Sequence, residues 1–517
     1  MTPLGLLGIS CLTLVISGIA GIPRRAPVHL SAAINLVGCV IGILGAALSL
    51  NAGTTAIHYR WYIPSGAIAL VVDPLAAFFL FPVFVVGGLG ALYGEGYWSI
   101  SEHPTTGRKL RCFYGVLIAG LVLVMIAGDA WSFLFGWEIV GVAAFFLVTT
   151  EQEPDALRAG WIYLIATHTG TLVLFAMFGL LHSATGTWQL IRSPALAHSD
   201  LLVPILLLAL VGFGIKAGVM PFHIWLPEAH AAAPSHVSAI LSGVVLKMGI
   251  YGLVRVLSLV TAYPAWLGTV LLALGIVSGL LGVIFALAQH DLKRLLAYHS
   301  IENIGIILIG LGIGTLGAAT GHHVLAILGF AGGLLHVWNH AAFKALLFYA
   351  AGAVVHSTGT RQIDGLGGLL RPMRVTGIAF LVGAVAICGL PPLNGFVSEW
   401  LLYLAGFRAL LDGTTVALIA ALAAPALALI GALAVACFVK AFTVVFLGTS
   451  RTGIGSAHDA TLSMQVPMIV LGIVCVFIGL WPSGAGAVTS RATNVLTGEL
   501  SGPAVASALA PLTPIAT

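Results

Sequence analysis

The chain has 517 residues, 59% of them hydrophobic and 7% charged, with a mean hydropathy of +1.09. Soluble domains carry about 25% charged residues, so this composition excludes a soluble fold and specifies a polytopic protein in a lipid bilayer. A net charge of +4 without any basic run argues against nucleic acid as a partner.

About 20 apolar residues cross a bilayer. Cut on that length, the chain predicts an all-α protein of about fourteen spanning helices, at 3–21, 29–50, 67–93, 112–128, 130–150, 158–183, 201–222, 237–258, 264–288, 296–316, 323–356, 374–407, 414–447 and 465–482. The first lacks a charged lead-in and reads as a spanning helix rather than a cleaved signal. The segments 323–356 and 374–407 are long enough to predict breaks or strong tilt.

Placing the N-terminus outside collects Arg24, Arg25, Arg108, Lys109, Arg111, Arg158, Lys293, Arg294, Arg361, Arg371, Arg374 and Arg451 on the inner side. Arg60, Arg192, Arg255, Arg408 and Arg491 remain outside, and the excess of inner cations predicts a cytoplasmic (inner) membrane with that orientation. The other four cations, Lys216, Lys247, Lys344 and Lys440, lie within apolar segments. A charge near the bilayer centre costs about 2.5–3.5 kcal/mol on insertion scales, so each requires a reason.

The stretch 211–252 concentrates this chemistry: Lys216, His223, Glu228, His230, His236 and Lys247 alternate with Pro221, Pro227 and Pro234. Interrupted helices bearing ionisable groups are how transporters build ion-coupling sites; a cytosolic loop would account for Glu228 and His230 but not for the two lysines. The order recurs later, where Pro391 and Pro392 break a segment near Glu399 and the next helix carries Lys440. The chain therefore divides into three leading helices (1–110), two repeats (111–260 and 261–450) and a last helix with its tail (451–517), with an odd helix count inverting the second repeat.

Glu138 lies in an apolar run and is a candidate partner of Lys216, either as a proton site that responds to its neighbour or as a static ion pair. His336, His340 and Lys344 share one helix face at i, i+4 and i+8. Two histidines at that spacing suit a metal, but with no third ligand nearby a proton relay fits better. His168 is a candidate for an interhelical hydrogen bond or a relay, and His299 with Glu302 for inner proton uptake. His290, Asp291, Lys293 and Arg294 read as interfacial anchors or docking contacts, and Lys440 as a snorkelling side chain. Cys11, Cys39, Cys112, Cys388, Cys437 and Cys475 show no metal-ligand spacing. No phosphate loop, dinucleotide fingerprint or nucleophile context is present, so no metal and no cofactor is expected in this chain.

The motifs GIKAGVMPFHIWLPEAHAAAPSHVSAILSGVVLKMGIYG, LAYHSIENIGII, HSTGTR and GLPPLNGFVSEWLLY resemble the antiporter-like membrane subunits shared by respiratory complex I, Mrp-type antiporters and membrane-bound hydrogenases. The resemblance spans roughly 65–450 and is strongest toward hydrogenase-4 component B and formate hydrogenlyase subunit 3. It implies a fourteen-helix fold with two inverted five-helix repeats containing broken helices. It also implies a proton path through Glu138 and Lys216, Lys247, then His336, His340 and Lys344, to Glu399; the residues themselves leave His168, His223, His299, Glu302 and Lys440 as secondary candidates. Longer relatives continue into a lateral amphipathic helix, for which 483–517 offers no helix of comparable length. The implied partners are other membrane subunits and a peripheral redox arm of hydrogenase-like and iron–sulfur subunits. The alternatives are a cation/proton antiporter subunit, the membrane subunit of an inorganic-carbon uptake complex, and a structural anchor.

Overall fold

The computed structural model describes residues 1–23, 27, 29–61, 66–449, 451, 457–498 and 507–512. Arg24 and Arg25, assigned above to the inner side, lie outside the described residues. The chain divides into two compact units, Met1–Gly218 with Ala232–Tyr263, and Val219–Ala231 with Pro264–Thr517.

The first unit opens with α1 (Pro3–Ala20) and α2 (Leu30–Ala52), followed by an antiparallel hairpin of β1 (Thr55–Trp61) and β2 (Gly66–Val72). Then come α3 (Pro74–Tyr97), α4 (Thr106–Ile126), α5 (Ala130–Val148), α6 (Pro154–Thr185), the single turn α7 (Pro194–Ala197) and α8 (Leu202–Ala217). After α9 (Trp225–Ala232), most of which belongs to the second unit, the first unit closes with α10 (Ser235–Ile240), a π-helical turn at Leu241–Val245 and α11 (Leu246–Leu259). The second unit holds α12 (Ala265–Leu287), α13 (Leu292–Ala319), α14 (His323–Thr358), α15 (Arg374–Ile387), α16 (Asn394–Asp412), α17 (Thr415–Ala421), α18 (Ala423–Phe446), α19 (Leu462–Leu480) and α20 (Pro482–Thr497).

Twelve helices among the described residues are long and apolar enough to cross a membrane. The remaining two of the fourteen expected segments are the shorter α8 and the broken pair α15–α16. Three aspartates start helices: Asp73 accepts from Ala76 N at 2.8 Å, Asp129 from Ser132 N at 2.9 Å and Asp291 from Lys293 N at 2.9 Å. Each satisfies amides that a helix leaves unpaired at its first turn.

One expectation changes and two take a definite form. The segment predicted as helix from 67 is strand up to Val72, because Asp73 caps and Pro74 starts α3. The segment 323–356 is one unbroken 36-residue helix, about 54 Å long at 1.5 Å per residue; it contains no proline to interrupt it. The tail forms α20, whose Ala485, Thr489, Ala492, Thr493 and Leu496 recur at helical spacing as a buried face against α14.

One ion pair ties the first unit across the chain: Arg255 on α11 grips the α3 cap Asp73 with two bonds of 2.6 and 2.8 Å, and also donates to Tyr251. Arg255, placed outside on charge counting alone, is thus a clamp on a helix start. Removing one partner strands the other in a poorly solvated site. Arg255→Ala is expected to destabilise the purified chain by about 3 kcal/mol, read as a lowered melting temperature in detergent; an unchanged melting curve would show the clamp to be dispensable.

Candidate functional site

In the first unit, α5, α6 and α8 bring Glu138, His168 and Lys216 into one region. Lys216 is 1% exposed; its Nζ donates to Tyr163 Oη at 2.9 Å and lies over the rings of Tyr163 and Trp137 at 5.1 and 5.6 Å. Glu138 makes no ion pair with it. Its carboxylate accepts from Thr171 Oγ1 at 2.5 Å and meets His168 Nδ1 at 3.1 Å, with side chains 35% and 46% exposed for Glu138 and His168. The expected contact pair is therefore a pair held apart, with Tyr163, Thr167 and Thr171 recurring at i, i+4 and i+8 on α6 alongside both. An aromatic face and a phenol satisfy an ammonium that water no longer reaches.

Lys247 is equally buried, and its Nζ donates to Ser242 O at 2.6 Å. Ser242 belongs to the π-helical turn, where wider coiling perturbs the regular carbonyl ladder. His223 lies half-buried in the turn before α9, and no hydrogen bond among the described residues links it to the other candidates.

In the second unit a hydrogen-bonded chain crosses three helices. His299 Nδ1 bonds Glu302 on α13, and Asn303 Nδ2 donates to His299 O at 2.8 Å. Asn303 Oδ1 meets His336 Nε2 at 3.0 Å on α14, and His336 Nδ1 meets Ser398 Oγ at 2.9 Å on α16, next to Glu399. His336, His340 and Lys344 are fully buried, the two imidazoles nearly parallel at 6.5 Å. Lys344 Nζ has no hydrogen-bond partner among the described residues and lies 5.8 Å from the Phe348 ring centre. Glu399 is buried against Gly389 in the α15–α16 break, where a Cβ would collide with its carboxylate. Of the secondary candidates, Lys440 donates to Leu287 O at 2.6 Å and Gln289 O at 3.1 Å, which fixes it as a cap on the end of α12. Asp291 and Arg294 likewise serve as helix cap and as partner of Glu228.

Sequence reasoning missed Tyr163, Thr171, Asn303 and Ser398. Asn303 carried a signal, four residues after His299 on one helix face, and Ser398 another, beside Glu399; Tyr163 and Thr171 read as ordinary apolar-helix residues.

The chain of bonds dictates how His336 handles a proton. His299 O only accepts, so the Asn303 amide must turn its NH₂ toward it and its oxygen toward His336. Nε2 therefore keeps its hydrogen, and only Nδ1 gains or loses one. Ser398 lies between two acceptors: neutral His336 takes its hydroxyl proton at Nδ1, whereas charged His336 donates to Ser398, whose proton then goes to Gly395 O at 3.0 Å. Across a pH titration, ¹⁵N NMR of the His336 ring is expected to keep Nε2 protonated throughout while Nδ1 alone changes. Asn303→Leu should yield both tautomers; a neutral Nδ1–H form in the unaltered chain would contradict the assignment.

A family model described as "NADH:quinone oxidoreductase/Mrp antiporter, TM" matches residues 127–424. Hydrogenase-4 component B of Escherichia coli is 36% identical over 469 residues, covering 88% of this chain and 69% of the relative. Formate hydrogenlyase subunit 3 of the same organism is 38% identical over 458 residues, covering 86% and 73%. Among solved structures, a chain of the membrane-bound sulfane sulfur reductase, an archaeal respiratory membrane complex, superposes with a TM-score of 0.78 at 26% identity, covering 92% of this chain and 76% of that one. The chain belongs to the NADH:quinone oxidoreductase/Mrp antiporter transmembrane family.

Proposed function

We propose that this chain is the proton-translocating membrane subunit of a hydrogenase-4 or formate hydrogenlyase type of oxidoreductase. The observation that carries the reading is the buried bonded chain His299/Glu302–Asn303–His336–Ser398, ending beside Glu399 in a helix break. A purely structural anchor has no use for buried titratable groups gathered on three adjoining helices and joined in part by hydrogen bonds. Kinship with the two Escherichia coli proteins supports the choice of complex.

In this reading Glu138, with His168 and Thr171, is the group whose charge changes. Lys216 and Lys247 respond in the first unit, and His336, His340, Lys344 and Glu399 carry the proton in the second. Lys440 takes no part. The redox chemistry lies in a peripheral arm of hydrogenase-like and iron–sulfur subunits, joined through other membrane subunits, and this chain contributes no cofactor. The protein resides in the cytoplasmic membrane with its N-terminus outside.

Purification in mild detergent is expected to bring down nickel–iron hydrogenase-like and iron–sulfur proteins. A stable particle without any redox subunit, showing cation-dependent proton flux in vesicles, would instead place the chain in an antiporter. In the assembled complex, Lys216→Ala and Lys247→Ala are each expected to abolish proton translocation without loss of assembly. Normal translocation in both would sink the proposed path.

A further inference from the structure

We infer that the first unit carries a proton-uptake port at the shared end of α2, α3, α4 and α10, built from His29, Glu95, Arg111 and His236 around a cavity the size of one water molecule. It rests on the proton-translocation reading above. Glu95, in the last turn of α3 and 6% exposed, commits its two carboxylate oxygens differently. Oε1 accepts from Arg111 Nε and Nη2 at 2.9 and 2.7 Å, and Oε2 meets His29 Nδ1 at 2.5 Å. His29 is 82% exposed, so it joins the surface to a buried carboxylate.

On the inner side of Glu95 lies a cavity of about 20 Å³ whose polar lining is Ser31, Asn35, Glu95, Arg111, Tyr114 and His236. One water needs about 10–15 Å³ and two to four polar partners, and this space provides both. His236 is 1% exposed, ringed by Tyr93, Tyr97 and Tyr114 at 6.4, 5.9 and 5.7 Å. Gly94 makes room for it: a Cβ there would lie 3.0 Å from His236 Nε2.

A helix-to-helix ion pair needs only Glu95 and Arg111. It does not require an exposed histidine on the second carboxylate oxygen, nor a buried histidine across a polar void. Together these give a sequence of short steps: bulk proton to His29, to the Glu95 carboxylate, to the cavity water, to His236. Each step moves one proton between adjacent oxygen and nitrogen atoms and no electrons. Arg111 orients the carboxylate. His236 begins the same helical run, through the π turn, that carries Lys247, about 16 Å further along. The port thus delivers a proton to the helix that bears the central lysine.

Two measurements test it. Histidine C2 hydrogen exchange, read by mass spectrometry on the purified full chain, is expected to be nearly as fast at His236 as at exposed His29. It should be far faster there than at His230, which is 0% exposed, and Gly94→Ala should slow it severalfold. A His236 rate as slow as that of His230 overturns the port without reference to transport. In the assembled complex in liposomes, Glu95→Gln and His236→Gln are expected to lower proton flux about tenfold, with Lys247→Ala as the reference for complete loss. Full flux in both variants beside loss in Lys247→Ala overturns the port and leaves the proposed function standing. Full flux in Lys247→Ala as well overturns that function and the port with it.

Discussion

An ammonium group carried into an apolar helix bundle loses its water, and the cost, about 2.5–3.5 kcal/mol at a bilayer centre, must be offset by whatever the fold places around it. The four intramembrane lysines are met in four ways. Lys440 is bound by two carbonyls at the end of α12, a fixed cap. Lys247 donates to the Ser242 carbonyl in a π-helical turn. Lys216 is held by a phenol and two aromatic faces, and Lys344 rests beside a phenylalanine ring without a hydrogen bond among the described residues. Of these, Lys440 with its two backbone carbonyls is the most firmly fixed and Lys344 the least. A lysine bonded to two backbone carbonyls stays where it is; one held by rings and a hydroxyl can release or accept a proton with little rearrangement.

The same constraint governs the backbone. A helix break inside a membrane exposes amides and carbonyls that lipid cannot satisfy, and the α15–α16 break is stitched by side chains. Asn339 on α14 donates to Asn394 O at 2.7 Å and to Ser398 Oγ at 2.9 Å, and Asn394 donates back to Asn339 O at 3.3 Å. This double amide clamp, buried throughout, fixes the first turn of α16 against α14. It therefore fixes Ser398 against His336 and Glu399 against Gly389. Repair of the broken helix and the bonded chain through His336 share the same side chains, which is why the polar residues cluster there.

Hydropathy made the spans legible, and charge in apolar runs marked Lys216, Lys247, Lys344, Glu138 and Glu399, because both signals are intrinsic to a residue and its neighbours in sequence. Partners are not. Lys216 read as the mate of Glu138, since opposite charges are the obvious way to satisfy a buried ion. Tyr163 is an aromatic in an aromatic-rich helix, and nothing local says that its hydroxyl faces an ammonium 53 positions away. The hairpin was missed for a related reason: an apolar run reads as a span on composition, and only the Asp73–Pro74 start of α3 divides strand from helix. For α14, length alone left a break and a strong tilt open, and the lack of any proline in it is what excludes the break.

Separation of Glu138 from Lys216 changes what the pair can do. In contact, two buried ions lock each other, and loss of either costs several kcal/mol of stranded charge. Here Thr171 and His168 hold the carboxylate, and Tyr163 holds the amine. Two unit charges beyond bonding range, at about 8 Å for instance, still interact by about 2 kcal/mol at an effective dielectric of about 20. That is enough to shift a proton equilibrium by more than tenfold, and it breaks no bond. His168, half exposed, meets the Glu138 carboxylate separately from the bond to Tyr163 that holds Lys216. In the proposed path this arrangement is what links the exposed edge of α5 and α6 to a buried lysine: a pair denied a salt bridge has no locked contact to break before it responds.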